Sequence, residues 1–241
     1  MRIASESALR LLTVPASSVF KGSMNFSHDM ATGLTEFSRV RTLKEPIPPN
    51  VAKGIKQSYD TIEAQLTAIA KDLQGINTYR YSGQISGGLQ EFVEAVTFKH
   101  YLETQRLMSY QEAQTSVDAM TKDRKVMLTV DDYILGLFDM VGELMRFSVT
   151  VMATNGELPG KDGHDVLSDL RELRVSLESL EIDKGSWFSF DVGKKMPVMQ
   201  ECVEKVEKAL YGLMVRGAER PKGWMPNADE PRGGHGEIES Y

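Results

Sequence analysis

Apolar residues recur at helical spacing through most of this sequence, and few segments alternate apolar and polar residues as a β-strand would. Neither Asn155-Gly156 nor Asp162-Gly163 joins two alternating runs, so the sequence predicts no β-hairpin. The strongest helical signal is an apolar run at heptad spacing along one side of a helix: Ile55, Tyr59, Ile62, Leu66, Ile69 and Leu73. These patterns predict an all-α fold.

Start and stop signals divide the chain into helices joined by short connections. We predict helices over about 50–74, 86–108, 130–153, 164–180 and 196–215, and a further helix that starts where Ser109 and Glu112 have the spacing of a capping box. Pro197 is placed in the first turn of the last helix. The prediction is a single-domain antiparallel bundle of about six to seven helices over 25–218, between an irregular segment 1–24 and a flexible tail 219–241.

Composition excludes several classes of protein. The chain has 241 residues, a formal net charge of −6 and a single cysteine, Cys202, so it has no internal disulfide framework. Its histidines lie too far apart in the sequence to indicate a zinc site. The net acidity argues against a nucleic-acid binder driven by charge alone. No apolar run reaches the roughly 18 residues of a membrane-spanning helix, so we expect no membrane partner and a cytoplasmic location, with the nucleus as the alternative.

Two predicted helices each carry a pair of acidic residues on one face. Glu91 and Glu94 are three residues apart, and Asp139 and Glu143 are four apart, so each pair projects to one side of its helix. Four carboxylates from two helices suit a hard divalent cation, Mg²⁺ or Mn²⁺, which prefers oxygen ligands. A di-iron centre would need a Glu-x-x-His motif, whereas Thr97 stands three residues after Glu94.

The residues around these acids leave more than one interpretation open. Acids at such spacings are more often solvated helix faces than metal ligands. Arg146 is either an ion-pair partner for Glu143, one turn before it, or a contact for a phosphate group. Gly136 and Gly142 would let another helix or a ligand approach closely. Asp132 is favoured near the start of its helix by the helix dipole.

Three other residues are assigned structural or surface roles. Trp187 lies in a glycine-flanked loop and is predicted to anchor packing rather than to stack on a base. Lys194 and Lys195 precede the last predicted helix, and we expect both to be solvated. None of the three is therefore placed at the candidate site.

Several stretches of the chain resemble the translin family, in the family's order and at about its spacing. They are 88–96 (GLQEFVEAV), 132–136 (DYILG), 142–146 (GELMR), 205–211 (KVEKALY) and 215–217 (VRG). Each stretch alone is a weak signal, whereas their combination is specific, and the resemblance covers residues 50–222. Family members begin with a long helix, which residues 1–45 match poorly.

The family has two branches, translin and translin-associated factor X (TRAX), and the acids distinguish them. Translin-type chains typically keep a glutamate matching Glu143 but lack the full set, so this chain resembles the TRAX branch. That resemblance implies an all-helical subunit that joins translin in a hollow hetero-oligomer, commonly an octameric barrel. It also implies a Mg²⁺-dependent endoribonuclease acting on enclosed single-stranded RNA, including passenger-strand fragments in RNA silencing and fragments left by tRNA processing.

By motif position, the family's catalytic acids correspond to Glu91, Glu94, Asp139 and Glu143. Glu94, Asp139 and Glu143 would hold the metal, and Glu91 would orient a water molecule or act as a general base. Arg146 is the candidate contact for an RNA phosphate. Two other functions stay open: a non-catalytic structural subunit of an RNA-binding helical oligomer, and a helical adaptor without an RNA role that docks partners through helix 50–74.

Overall fold

The computed structural model of the chain describes residues 39–121 and 124–219, together with Val19, Gly22, Glu36 and Phe37. The helices with described bounds are α1 (Pro49–Ala70), α2 (Asn77–Arg80), α3 (Ser82–Thr104), α4 (Tyr110–Thr121), α5 (Val130–Asn155), α6 (Val166–Glu178) and α7 (Trp187–Glu219). Within the described residues the only sheet is a pair of two-residue strands, β1 (Gly160–Lys161) and β2 (His164–Asp165). The prediction of an all-α fold is confirmed.

The predicted terminal segments fall almost wholly outside the described residues. Of segment 1–24 only Val19 and Gly22 are described, and of tail 219–241 only the backbone of Glu219. The domain bounds therefore stay a prediction. None of the described helices combines the length and the apolar character needed to cross a membrane.

The start of α4 and both ends of α5 follow local signals in the sequence. At α4 the N–H of Ser109 donates to Glu112 Oε2 at 2.7 Å, and the N–H of Glu112 donates to Ser109 Oγ at 3.3 Å. This confirms the capping box. At α5 the Oγ1 of Thr129 accepts from the N–H of Asp132 at 3.0 Å, and the helix ends before Gly156, whose φ is 75°.

The prediction of no β-hairpin is wrong for one short turn. Asp162 and Gly163 have φ values of 58° and 79°, the positive pair that a type I′ turn requires. Strands of two residues are too short to show alternation, so the sequence pattern does not reveal them. The hairpin delays the next helix, which starts at Val166 rather than at His164, and Asp165 caps it with a side-chain hydrogen bond.

Helix α7 starts well before the predicted residue 196, at Trp187, and Pro197 therefore lies inside it rather than in its first turn. An internal proline removes a backbone hydrogen bond and costs about 3 kcal/mol. Burial of Val192 and Met199 on either side of the proline offsets that cost. The apolar spacing in fact continues upstream of the proline: Phe188, Val192, Met199, Val203 and Val206.

Two apolar clusters form the core, and α3 contributes to both. The first cluster lies mainly between α3, α5, α6 and α7, and the second between α1, α3 and α4. Helix α3 buries one side in the first cluster, through Phe98, Tyr101 and Leu102. It buries the other side in the second, through Phe92, Val93 and Val96. Because both sides are covered, polar residues on the remaining strip of α3 are partly withdrawn from water.

Helices α3 and α5 run in the same direction, which departs from the predicted antiparallel packing. Ser86 on α3 donates a hydrogen bond to Asp132 near the start of α5. One turn later on each helix, the backbone of Gln90 lies against Gly136. Because the two contacts advance together, the glutamates that follow Gln90 are brought alongside the acids that follow Gly136.

Helices α5 and α7 are also parallel. Lys195 on α7 contacts Asp139 on α5. Two turns further along both helices, the charge of Arg146 acts on the thiol of Cys202. The central helix α5 is therefore flanked by α3 on one side and by α7 on the other, and side chains of all three can meet.

Candidate functional site

The four predicted acids come together where α3 and α5 pack. Glu91 and Glu94 lie on α3, and Asp139 and Glu143 lie on α5. Burial is the largest cause that raises the pKa of Glu94, from 4.5 to about 8, and the negative charges of Asp139, Glu143 and Glu91 add to the increase. Because the charges of all three other acids act on Glu94, the four carboxyl groups lie near one another. We call these four residues the acid cluster.

Glu143 is the buried member of the acid cluster, with 7% of its surface exposed. Arg146, on the next turn of α5, donates from Nη1 to Glu143 Oε1 at 2.6 Å, which confirms the predicted ion pair. Burial raises the pKa of Glu143, and the positive charge of Arg146 opposes that increase. The side chain of Arg146 is otherwise 64% exposed, and its contact with a phosphate stays a prediction.

Asp139 pairs with a residue that sequence reasoning did not assign to the site. Lys195 Nζ donates to Asp139 Oδ2 across the contact between α5 and α7. The two side chains are 26% and 35% exposed, so the pair is partly withdrawn from solvent. The expectation that Lys195 is solvated is wrong, because α7 continues upstream of Pro197 and turns this lysine toward α5. The apolar spacing upstream of the proline was the signal that could have revealed it.

Lys194 and Trp187, near the start of α7, are both exposed, which agrees with the prediction for Lys194 and contradicts the one for Trp187. Lys194 is solvated as expected, 60% exposed, with its ammonium over the ring of Phe190. The prediction that Trp187 anchors packing is wrong, since 85% of its surface is exposed. It lines a cavity of about 290 Å³ that it shares with Asp132.

Only one of the two glycines on α5 serves a close helix contact. A Cβ atom at Gly136 would lie 2.7 Å from the carbonyl oxygen of Gln90 and 2.7 Å from Val93 Cβ. At Gly142 the nearest atom would be Arg146 Nη2 at 3.7 Å, an ordinary contact. Gly136 therefore allows α3 and α5 to approach, and this approach assembles the acid cluster.

Asp132 has a structural role, as the sequence suggested. It is 4% exposed and accepts hydrogen bonds from Ser86 Oγ, from Thr129 Oγ1 at 2.7 Å and from Gln90 Nε2 at 3.3 Å. These bonds join the start of α5 to α3 two turns before Asp139. Asp132 thus helps to set the register of the two helices and is not part of the acid cluster.

The acid cluster has the donor chemistry of a Mg²⁺ or Mn²⁺ site. Carboxylate oxygens are the ligands that hard divalent cations prefer, and a cation would relieve the repulsion that raises the pKa of Glu94. Within residues 39–121 and 124–219, however, no group of three or more His, Cys, Asp or Glu side chains is placed so that it could hold an ion. Glu143 and Asp139 are paired with Arg146 and Lys195 instead. The residues fit such a cation by chemistry, and these two pairs would have to open for the ligands to converge.

The raised pKa of Glu94 predicts a pH-dependent stability in the absence of metal. The unfolded chain releases this proton near pH 4.5, whereas the folded protein keeps it up to about pH 8. Between these values unfolding releases a proton, so the contribution of Glu94 to the free energy of unfolding is lost as the pH rises. We expect Glu94→Gln to be at least as stable as wild type at pH 8.5 and to lack this part of the slope, measured by urea denaturation with EDTA at pH 5.5 and 8.5.

Glu103→Gln is the matched control for this measurement. Glu103 lies on the same helix, is exposed and pairs with Lys99 at 3.0 Å. The control should keep the wild-type dependence on pH. Equal pH slopes for wild type and Glu94→Gln would contradict the raised pKa of Glu94.

Comparison with known proteins agrees with the resemblance seen in the sequence. The Translin family matches residues 24–217. Translin-associated protein X of Rattus norvegicus is 26% identical over 235 residues, covering 84% of this chain and 79% of that protein. The Translin-associated protein X homolog of Schizosaccharomyces pombe is 30% identical over 159 residues, covering 66% of this chain and 63% of that protein. Translin of Homo sapiens is 27% identical over 179 residues, 72% of each chain.

The family match spans most of the chain and includes the helices that carry the acid cluster. The match to the rat Translin-associated protein X covers 84% of the chain, whereas the match to human translin covers 72%. The chain therefore belongs to the translin family, in its translin-associated factor X (TRAX) branch.

Proposed function

We propose that this chain is the catalytic subunit of a translin–TRAX endoribonuclease that cleaves single-stranded RNA and requires Mg²⁺. The observation that supports this is the acid cluster, in which burial and then the charges of the three other acids raise the pKa of Glu94. Repulsion between partly buried carboxylates destabilises a helical bundle that has only a structural role. A site for a divalent cation, by contrast, requires several carboxylates close together. Passenger-strand fragments and fragments from tRNA processing are the proposed substrates.

Glu94, Asp139 and Glu143 would hold the ion, and Mn²⁺ could replace Mg²⁺ because both prefer oxygen ligands. When bound, the ion supplies Lewis-acid activation of the scissile phosphate. Glu91 would orient the attacking water or accept its proton. The guanidinium of Arg146, which is 64% exposed, would donate to a phosphate oxygen once its pair with Glu143 opens.

A partner chain is part of the proposal because this chain is itself acidic. With a net charge of −6 and a cluster of carboxylates, it would repel RNA. Translin subunits would supply most of the basic surface, in a hetero-oligomer that we propose to be an octameric barrel. We propose a cytoplasmic location, with the nucleus as the alternative.

The test is cleavage of a labelled single-stranded RNA by this chain co-purified with translin. We expect cleavage with Mg²⁺ and none with EDTA, while the complex elutes at the same volume and retains RNA in both conditions. A matched double-stranded RNA should be resistant. An intact, RNA-bound complex that never cleaves RNA would contradict the proposal.

A non-catalytic structural subunit is the second candidate function. It is favoured by the ion pairs that occupy Asp139 and Glu143 and by the lack, among the described residues, of three side chains placed to hold an ion. If it holds, the assembly should bind RNA equally well with all four acids of the cluster replaced by amides, and the wild-type complex should have no activity to lose.

A further inference from the structure

We propose that Lys195 is an internal counter-cation for Asp139 that a divalent ion must displace, so that this lysine lowers the metal affinity of the acid cluster. The inference rests on the proposed function, since it concerns the cation that function requires. It assigns to α7 a part in a site whose acids all come from α3 and α5.

The contact is a specific tertiary one. Lys195 and Asp139 are 56 residues apart in the sequence and meet because α7 lies parallel to α5. Their side chains are only 26% and 35% exposed, whereas the pairs of Lys56 with Asp60, Lys205 with Glu201 and Lys208 with Glu204 link neighbouring turns of one helix at the surface. Holding a lysine in such a position costs side-chain entropy and hydration, so the pair needs the local excess of negative charge to form.

The acid cluster supplies that excess. It contains four carboxyl groups, and among the described residues Arg146 pairs with Glu143 and Lys195 with Asp139. Arg146 is 64% exposed and can swing into solvent, but Lys195 is held between α5 and α7. Of the two, Lys195 is therefore the cation that is harder to displace.

An ammonium group and a divalent ion compete for the same carboxylate oxygen. Lys195 Nζ contacts Asp139 Oδ2, one of the oxygens that a metal ion would take. While the pair is closed, Asp139 is turned toward α7. This accounts for an acid cluster with metal-binding chemistry in which no three side chains are placed to hold an ion, within the part of the chain that the structure describes. Displacing the lysine would free Asp139 to join Glu94 and Glu143.

The test is the affinity for Mn²⁺, measured by titration calorimetry on the full chain co-purified with translin. Lys195→Met removes the competing charge and keeps the apolar stem, and we expect its dissociation constant to fall about fivefold, the value of a partly exposed ion pair. Should the Met variant fail to fold, Lys195→Gln removes the same charge and should give the same change. Lys195→Arg keeps the charge and should not tighten binding.

Lys194→Met is the matched control. It makes the same change in net charge one residue away, but Lys194 pairs with Asp191 at 3.5 Å and lies over Phe190, not on the acid cluster. Its dissociation constant for Mn²⁺ should stay within about twofold of wild type, since exposed charges at longer range are screened by solvent and salt. A further arm places Lys195→Met in the Asp139→Asn background, where it should no longer tighten binding.

The outcomes separate this inference from the proposed function. Tighter binding in Lys195→Met but not in Lys194→Met supports it, including the case in which only Lys195→Met binds measurably. Equal affinity of wild type, Lys195→Met and Lys194→Met overturns the role of Lys195 and leaves the metal site standing. Equal tightening by both variants makes the effect one of net charge and also overturns it. Absence of binding in every variant overturns both the inference and the proposed metal dependence.

Discussion

Asp139→Asn is expected to reduce Mg²⁺-dependent RNA cleavage by at least about 100-fold, because losing even a group that only supports a metal ligand costs 10- to 100-fold. Asparagine keeps the shape of the side chain and removes the charge that a cation needs. Lys195 then loses the opposite charge, but the amide oxygen of asparagine can still accept its hydrogen bond, so the fold should survive. The measurement is single-turnover cleavage of a labelled RNA by the complex with translin, alongside its elution volume.

Asp131→Asn is the control for this prediction. Asp131 lies on α5 two turns before Asp139, is exposed and is outside the acid cluster. The same chemical change there should leave cleavage within about twofold, with only a small loss from the helix dipole. A fully assembled Asp139→Asn complex that cleaves as fast as Asp131→Asn would remove Asp139 from the catalytic site.

Gly136→Ala is expected to lower the free energy of unfolding by about 2 kcal/mol, although alanine favours helices by up to about 1 kcal/mol over glycine. The added Cβ would meet the carbonyl oxygen of Gln90 and the Cβ of Val93, each at 2.7 Å, and neither atom belongs to a flexible side-chain end. Helices α3 and α5 would have to separate, which weakens packing and spreads the acids. Chemical denaturation with EDTA present measures the change in stability.

Gly142→Ala on the same helix should have the opposite sign. Its Cβ would meet only Arg146 Nη2 at 3.7 Å, so the gain in helix propensity of up to about 1 kcal/mol should remain. Cleavage should fall in Gly136→Ala and be largely kept in Gly142→Ala. If the two variants changed stability equally, the close approach of α3 and α5 at Gly136 would not be what assembles the site.

Local patterns predicted most of the helices and the residues that each helix offers. The capping box of Ser109 and Glu112 was predicted, and α5 ends within two residues of the predicted end at about 153. The heptad run was predicted too, although α1 ends at Ala70 and its last member, Leu73, lies beyond the helix. The ion pair of Arg146 with Glu143 was also predicted. These features involve residues within about two turns of one another, and their geometry is set by the helix itself. The comparisons then confirmed the family that the motifs resembled.

Predictions from the sequence were wrong where tertiary packing outweighed a local preference or where an element was too short to show a pattern. Proline near a helix start favoured the start of α7 at residue 196, but burial of Val192 extends the helix back to Trp187. Two-residue strands gave no periodic signal, so the turn at Asp162-Gly163 was missed. Lys195 was predicted to be solvated because the start of α7 was placed at residue 196, after this lysine.

The sequence by itself determined which acids share a helix face, because that depends only on spacings of three and four residues. Tertiary structure alone decided which faces meet. The contact of Ser86 with Asp132 joins residues 46 apart, and that of Lys195 with Asp139 joins residues 56 apart. The first contact depends on how closely α3 and α5 pack at Gly136, and the second depends on where α7 begins. Such contacts are determined by the burial of many apolar side chains at once, and the spacing of residues within one helix does not predict how those side chains pack together.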